Sequence, residues 1–200
     1  MKLLGISVSN RKDGNSYLIL KETLPPDTEI IQFADLEIKP CTHCWEPCGQ
    51  VPFKCVVEDH LVMVLDKMKS ANGIIISCPL YFYIPSKFQA FIERLVCLEY
   101  YTIEKHPDTD TYPLEGKPCG LIANSGAGGH NTLDVLRLLA DYILALHMHL
   151  LTINKHPYIG ISAKGGDEKG EILKDQKALK QAKEFAGLLI KEIKNERKSI

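Results

Sequence analysis

Lys2-Leu-Leu-Gly-Ile-Ser-Val-Ser-Asn-Arg-Lys-Asp-Gly-Asn-Ser16 is the stretch on which the fold turns. Its first half is a short apolar run ending in small polar residues, the pattern of a strand buried on both faces. Its second half is a loop of turn formers, and a helical stretch over 17–24 follows until Pro25-Pro26 stops it. A strand that passes through a polar loop into a helix opens a βα unit, and the same alternation recurs down the chain.

Further strands are expected at 29–33, at Gly73-Ile-Ile-Ile-Ser77, at 119–124 and near 158–162. The helix over 59–71 places Leu61, Val64, Leu65 and Met68 at helical spacing. The helix opened by Pro85 carries Phe88, Phe91, Ile92, Leu95 and Leu98 on one face. Two more helices cover 131–146 and 171–196, while 99–116, with Pro107, Pro113 and Gly116, reads as a surface excursion. Strands too apolar to be half exposed, alternating with helices, predict a doubly wound five-stranded parallel sheet with helices on both faces. The whole of 1–200 reads as a single domain, with a cysteine loop over 40–56 inserted after the second strand.

The charge balance narrows the partners. Lys and Arg number 24 against 25 Asp and Glu, a formal net charge of −1. Nucleic acid or an anionic membrane as main partner requires a basic excess that is absent here. No apolar run approaches the ~18 residues of a transmembrane helix. The start shows no secretory pattern, so a cytoplasmic protein is expected.

In doubly wound sheets, ligands bind beyond the carboxyl ends of the strands, so three loops matter. The first offers the hydroxyls of Ser7, Ser9 and Ser16, the Asn15 amide, Arg11 and Lys12, with Gly14 leading into a helix N-terminus. Those are the donors a phosphate uses, although an ordinary strand-to-helix turn would look similar. The loop is neither Gly-x-Gly-x-x-Gly nor Gly-x4-Gly-Lys-Ser/Thr, which disfavours a dinucleotide or a nucleoside triphosphate. The second loop, Cys78-Pro-Leu-Tyr-Phe-Tyr-Ile-Pro85, could wall a planar ligand or form a hydrophobic corner. The third, Ser125-Gly-Ala-Gly-Gly129, lets backbone approach a ligand closely or is a flexible turn. Together they describe a site for a mononucleotide with a planar ring.

Three stretches carry a resemblance to the NADPH-dependent FMN reductase family: Ser7-x-Ser-x-Arg-x-x-x-Asn-Ser16, Cys78-Pro-Leu-Tyr-Phe82 followed by Ile84-Pro85-Ser86, and Lys87-x-x-x-Phe-Ile-Glu-Arg94. Within that family the chain resembles the iron–sulfur flavoproteins. The resemblance implies a flavodoxin-like fold, bound FMN and a homo-oligomer, either homodimer or homotetramer. It also implies that Ser7, Ser9, Arg11, Asn15 and Ser16 hold the FMN phosphate. Pro79, Leu80, Tyr81 and Phe82 would border the ribityl chain and ring. Ser125, Gly126, Ala127, Gly128 and Gly129 would line the isoalloxazine edge. The family often has glycine where this chain has Tyr83.

Four of the seven cysteines, Cys41-x2-Cys44-x3-Cys48-x6-Cys55, crowd one loop. An odd total and this clustering point to reduced thiols that bind or react rather than to a disulfide framework. Four thiolates on one loop can enclose a [4Fe-4S] cluster, each iron taking one cysteine. The iron–sulfur flavoproteins resemble this with Cys-x2-Cys-x2-Cys, and Trp45-Glu46-Pro47 adds one residue to the middle gap. Zinc and unmetallated redox-active thiols remain the rival readings, although a four-cysteine zinc site usually pairs two Cys-x2-Cys knuckles. Cys78, Cys97 and Cys119 are expected to pack in the core. His43 lies inside the loop, His130 follows the glycines where it could touch the ring, and His147 and His149 do not form a metal pair.

No acid–base constellation is recognisable, so no side chain is expected to be catalytic: the chemistry would belong to the flavin. The leading expectation is an FMN-dependent oxidoreductase passing electrons between a [4Fe-4S] cluster and FMN, fed by a small-molecule or ferredoxin-type donor. The alternatives are an NAD(P)H-dependent FMN or quinone reductase without a cluster, and a zinc- or redox-responsive cysteine-loop binding module.

Overall fold

In the computed structural model, which describes residues 1–81, 83–108, 112–126, 132–151, 160–166 and 168–196, the opening apolar run forms β1 (Leu3–Ser7), buried at every position. β2 (Glu29–Gln32) and β3 (Gly73–Pro79) pair with it in parallel on either side, and β4 (Pro118–Ser125) lies beside β3. The order β2-β1-β3-β4-β5 reverses between β1 and β3, which makes the sheet doubly wound.

The edge position beyond β4 is shared by two short strands. β5 (His149–Leu150) pairs with Pro118 and Cys119, and β6 (Ile161–Lys164) pairs with Ile122 through Ser125, both in parallel. The expected strand at 158–162 thus begins later, at Ile161, while 158 and 159 lie outside the described residues. β5 was not foreseen, because two residues show no periodicity.

Side chains alternate between two helical layers. Leu4 and Ile6 of β1 join the core under α2 (Leu61–Ser70), α3 (Ser86–Lys105) and α4 (Thr132–Ala145). Leu3 joins the core under α1 (Asn15–Thr23) and α5 (Gln176–Glu196). Strands covered on both faces have no polar side to show, and this is why they read as continuous apolar runs.

Two helices depart from expectation. The segment 171–196 splits at Asp175 into a 3-10 turn, Glu171–Lys174, and α5. Asp175 Oδ1 accepts the Ala178 N–H at 3.0 Å and so caps α5, while its Oδ2 accepts the Lys164 N–H at 2.9 Å. The other departure bears on function. α3 runs on to Lys105 through residues read as a surface excursion. Its last two turns are polar because they hold the cysteine loop. Thr102 Oγ1 accepts the Phe53 N–H at 3.1 Å, and Lys105 Nζ donates to the carbonyls of Glu46 and Cys48 at 2.7 and 2.6 Å. The His106 ring Nε2 lies 3.0 Å from the Gly49 carbonyl oxygen.

Candidate functional site

An open cleft lies at the carboxyl end of the sheet, over the reversal between β1 and β3. Ser9, Arg11, Asn15, Ser16, Pro79, Leu80, Tyr81, Ser125 and Gly126 all line it. The three loops singled out in the sequence therefore meet. Asn124, Gly165 and Gly166 line it as well and were missed. The signals were available: an asparagine closing an apolar strand, and a glycine pair just after the last strand. Ser7 is not in the lining; it is buried beside Ser77 in register, and among the described residues neither hydroxyl has a partner. Phe82, Ala127, Gly128, Gly129 and His130 lie outside the described residues.

Local chemistry shapes this cleft for an anion. The N-cap of α1 is Gly14, which has no side chain, so no capping side-chain oxygen covers the N–H groups of Asn15 and Ser16, both of which line the cleft. Those groups and the positive end of the helix dipole favour a negative group there. Ser16 Oγ donates to Asn124 Oδ1 at 2.8 Å, tying the first loop to β4. Ser9 Oγ and the Tyr81 hydroxyl stand 3.0 Å apart, tying the first loop to the second.

Asn15 has a different task from the one its position suggests. Its Nδ2 donates to the carbonyls of Gly166 and Glu168, both at 3.0 Å, and its Oδ1 accepts the Gly170 N–H at 2.8 Å. The Asn15 side chain is therefore committed to holding the loop after β6 against α1, and positions one wall of the cleft. Two tyrosines of the aromatic loop remain accessible, Tyr81 at 48% and Tyr83 at 54% exposure.

A second cavity lies under the cysteine loop. Cys41, Cys44, Cys48 and Cys55 line it, together with Thr42, Val57, Arg94, Leu98 and, unexpectedly, Cys97. Cys97 comes from α3 and lines the same cavity as Cys41. Cys97 packs against the core as expected but is only half-buried, and it also lines this cavity with the loop's cysteines. Burial, and after it the neighbouring sulfurs of Cys44, Cys97, Cys55 and Cys41, pushes the Cys48 thiol up to about 11. Cys78 and Cys119 are buried in the core as expected, and burial raises both thiols. Among the described residues, no group of three or more His, Cys, Asp or Glu side chains is set to hold a single metal ion.

Arg94 closes the loop at its base. Its Nη1 donates to the Lys39 carbonyl at 3.0 Å and to Asp59 Oδ2 at 2.5 Å, and its Nη2 donates to the Val57 carbonyl at 3.2 Å. Burial pushes the Asp59 carboxyl up, but hydrogen bonds from Arg94 and from the amides of Lys39 and Leu61 hold it below its ordinary value. Among the described residues Arg94 Nε has no oxygen partner, and Cys55 lines the same cavity as the guanidinium. Farther along α3, Glu99 faces an apolar pocket with Phe53, Leu98 and Leu114, and burial raises it to about 7.

The sequence of residues 1–160 matches the family model described as NADPH-dependent FMN reductase. The chain belongs to the NADPH-dependent FMN reductase family. It is accordingly an FMN-dependent oxidoreductase, and the anion-ready cleft fits the phosphate of that cofactor. Within the family it is similar to iron-sulfur flavoproteins. One from Methanosarcina thermophila is 32% identical over 168 residues, 80% of this chain and 81% of the relative. Another, from Methanocaldococcus jannaschii, is 41% identical over 88 residues, 41% of this chain and only 45% of the relative.

Solved structures share the fold of this FMN reductase family member. The Trp repressor binding protein of Bacillus subtilis superposes with a TM-score of 0.61 at 16% identity, covering 92% of this chain and 97% of that one. A WrbA-like flavodoxin from Agrobacterium tumefaciens superposes with a TM-score of 0.58 at 12% identity, covering 95% and 97%. The fold is flavodoxin-like. Among the described residues no helix is long and apolar enough to cross a membrane.

Proposed function

We propose that this protein passes electrons between a [4Fe-4S] cluster, held by Cys41, Cys44, Cys48 and Cys55, and FMN in the cleft above β1 and β3. The observation that carries the reading is the convergence of all four loop thiols on one cavity backed by the buried cation Arg94. A cluster distributes its four cysteines over four irons, so its ligands surround a volume rather than meet at one point. Four thiols lining one cavity support that reading, whereas a zinc ion asks for four sulfurs at about 2.3 Å from one centre. When bound, FMN supplies both one- and two-electron chemistry, and the cluster supplies one-electron storage.

The chain's own residues bind and orient. Ser9, Arg11, Ser16 and the first-turn amides of α1 hold the FMN phosphate, and Asn15 fixes the wall beside it. Pro79, Leu80, Tyr81 and Phe82 border the ribityl chain and ring. Ser125, Gly126, Ala127, Gly128 and Gly129 border the isoalloxazine edge, and Asn124, Gly165 and Gly166 join the set. Ser7 supports this floor from below. Arg11 is the cation that lines the cleft, whereas its neighbour Lys12 is not in the lining and pairs with Asp35 at 2.8 Å. Arg11→Ala is expected to weaken FMN binding about 10- to 100-fold, the loss of a charge-assisted phosphate contact. Lys12→Ala is expected to leave it within about threefold, since an exposed ion pair contributes little. Fluorescence titration of the apoprotein with FMN measures both.

The donor is a small molecule or a ferredoxin-type protein, and the working form is a homodimer or homotetramer. All seven cysteines are free thiols, as a reducing compartment such as the cytoplasm keeps them. Rapid anaerobic mixing with reduced ferredoxin and, separately, with NADPH tests the reading. Faster loss of flavin absorption with ferredoxin, slowed by Cys48→Ala, is expected. Fast bleaching by NADPH, indifferent to ferredoxin and to the Cys48 substitution, would instead indicate a cluster-free flavin or quinone reductase.

A further inference from the structure

A [4Fe-4S] cluster takes four cysteine sulfurs, and the cavity under the loop presents five. The fifth, Cys97, is borne by α3 rather than by the loop, so its position is set by a twenty-residue helix packed on the sheet. Cys41, the first cysteine of the loop, lines the same cavity as this helix sulfur. Cys41 sits two residues from Lys39, where Arg94 and Asp59 pin the entering limb, and the loop's later part is tethered to the end of α3 by Thr102, Lys105 and His106. Cys41 and Cys97 are therefore brought together from two independently anchored elements. A second observation points to a sulfur-rich anionic occupant at the same place: Arg94, 1% exposed, lines this cavity, and among the described residues its Nε has no oxygen partner.

We propose that Cys97 is a fifth thiol of the metal centre, interchangeable with Cys41 as ligand to one iron while Cys44, Cys48 and Cys55 hold the other three. Exchange is a ligand substitution without electron transfer. The Cys97 sulfur gives its proton to solvent and bonds to the iron as the Cys41 sulfur leaves it and takes up a proton. A rigid helix sulfur beside a loop sulfur lets the loop open at its first cysteine while the iron stays held. This inference rests on the cluster reading above.

Anaerobic reconstitution with iron and sulfide of the wild type, Cys41→Ala, Cys97→Ala and the double variant tests it, with FMN content confirming that each chain is folded. Iron and acid-labile sulfide should match the wild type in either single variant and fall sharply in the double variant. The low-temperature EPR spectrum of the reduced Cys41→Ala protein should differ from that of Cys97→Ala, since the ligand to one iron sits on a different element. If Cys41→Ala loses as much iron and sulfide as the double variant while the wild type loads fully, Cys97 is no ligand and only this inference fails. If folded, FMN-containing wild type takes up no iron and sulfide, the cluster reading fails and this inference fails with it.

Discussion

Replacing Arg94 with methionine is expected to destabilise the protein by about 3–5 kcal/mol, the range for removing one partner of a buried ion pair. The Arg94 side chain is 1% exposed and that of Asp59 is fully buried, so the substitution leaves a carboxylate in the interior with no cation beside it. It also frees the carbonyls of Lys39 and Val57, which Arg94 joins across the mouth of the loop. Replacing both partners, as in Arg94→Met with Asp59→Leu, should recover part of the loss, because no uncompensated charge remains. Recovery should be incomplete, since the two carbonyls still lack their donor. Urea unfolding of the two single variants and the double variant measures the coupling. A single variant within about 1 kcal/mol of wild type would show that the pair does not close the loop.

A second large effect is expected at Gly49. Its φ is +70°, and a Cβ there would stand 2.5 Å from the Tyr101 carbonyl carbon and 2.7 Å from the Thr102 nitrogen. These are backbone atoms inside α3 and cannot step aside as a side-chain tip can. Gly49→Ala combines a left-handed conformation unfavourable by about 1–2 kcal/mol with overpacking of similar size. We expect a loss of about 2–4 kcal/mol in the docking of the cysteine loop on α3. Hydrogen exchange of amides in the segment 44–57 should accelerate about 30- to 1000-fold, each 1.4 kcal/mol being a factor of ten. Unchanged exchange there would mean that Gly49 does not seat the loop on the helix.

How far the sequence can be read depends on whether a residue's task is local. β1, β3 and β4 were legible because both their faces are covered, which forces continuous apolar runs such as Gly73-Ile-Ile-Ile-Ser77. The cleft was legible because its loops must follow those strands at their carboxyl ends. Thr102, Lys105 and His106 were not, since their partners lie 49 to 57 residues or more away and their polarity looks like that of any solvated surface. Asn15 misleads in the same way: its phosphate-loop position hides three hydrogen bonds to a segment some 150 residues on. Cys97 shows the limit most clearly. Helical spacing says which face a side chain lies on, but which loop covers that face is a tertiary fact.

The proposed function gives one chain of this family two redox groups, FMN in the cleft and a [4Fe-4S] cluster among the loop cysteines. An anaerobic absorption spectrum with matched flavin, iron, acid-labile sulfide and zinc analysis tests it most directly. Flavin absorption over a broad iron–sulfur background is expected, with iron and sulfide in equal amounts, each about four times the flavin, and no zinc. Flavin absorption with neither iron nor sulfide, or with zinc in their place, would contradict it.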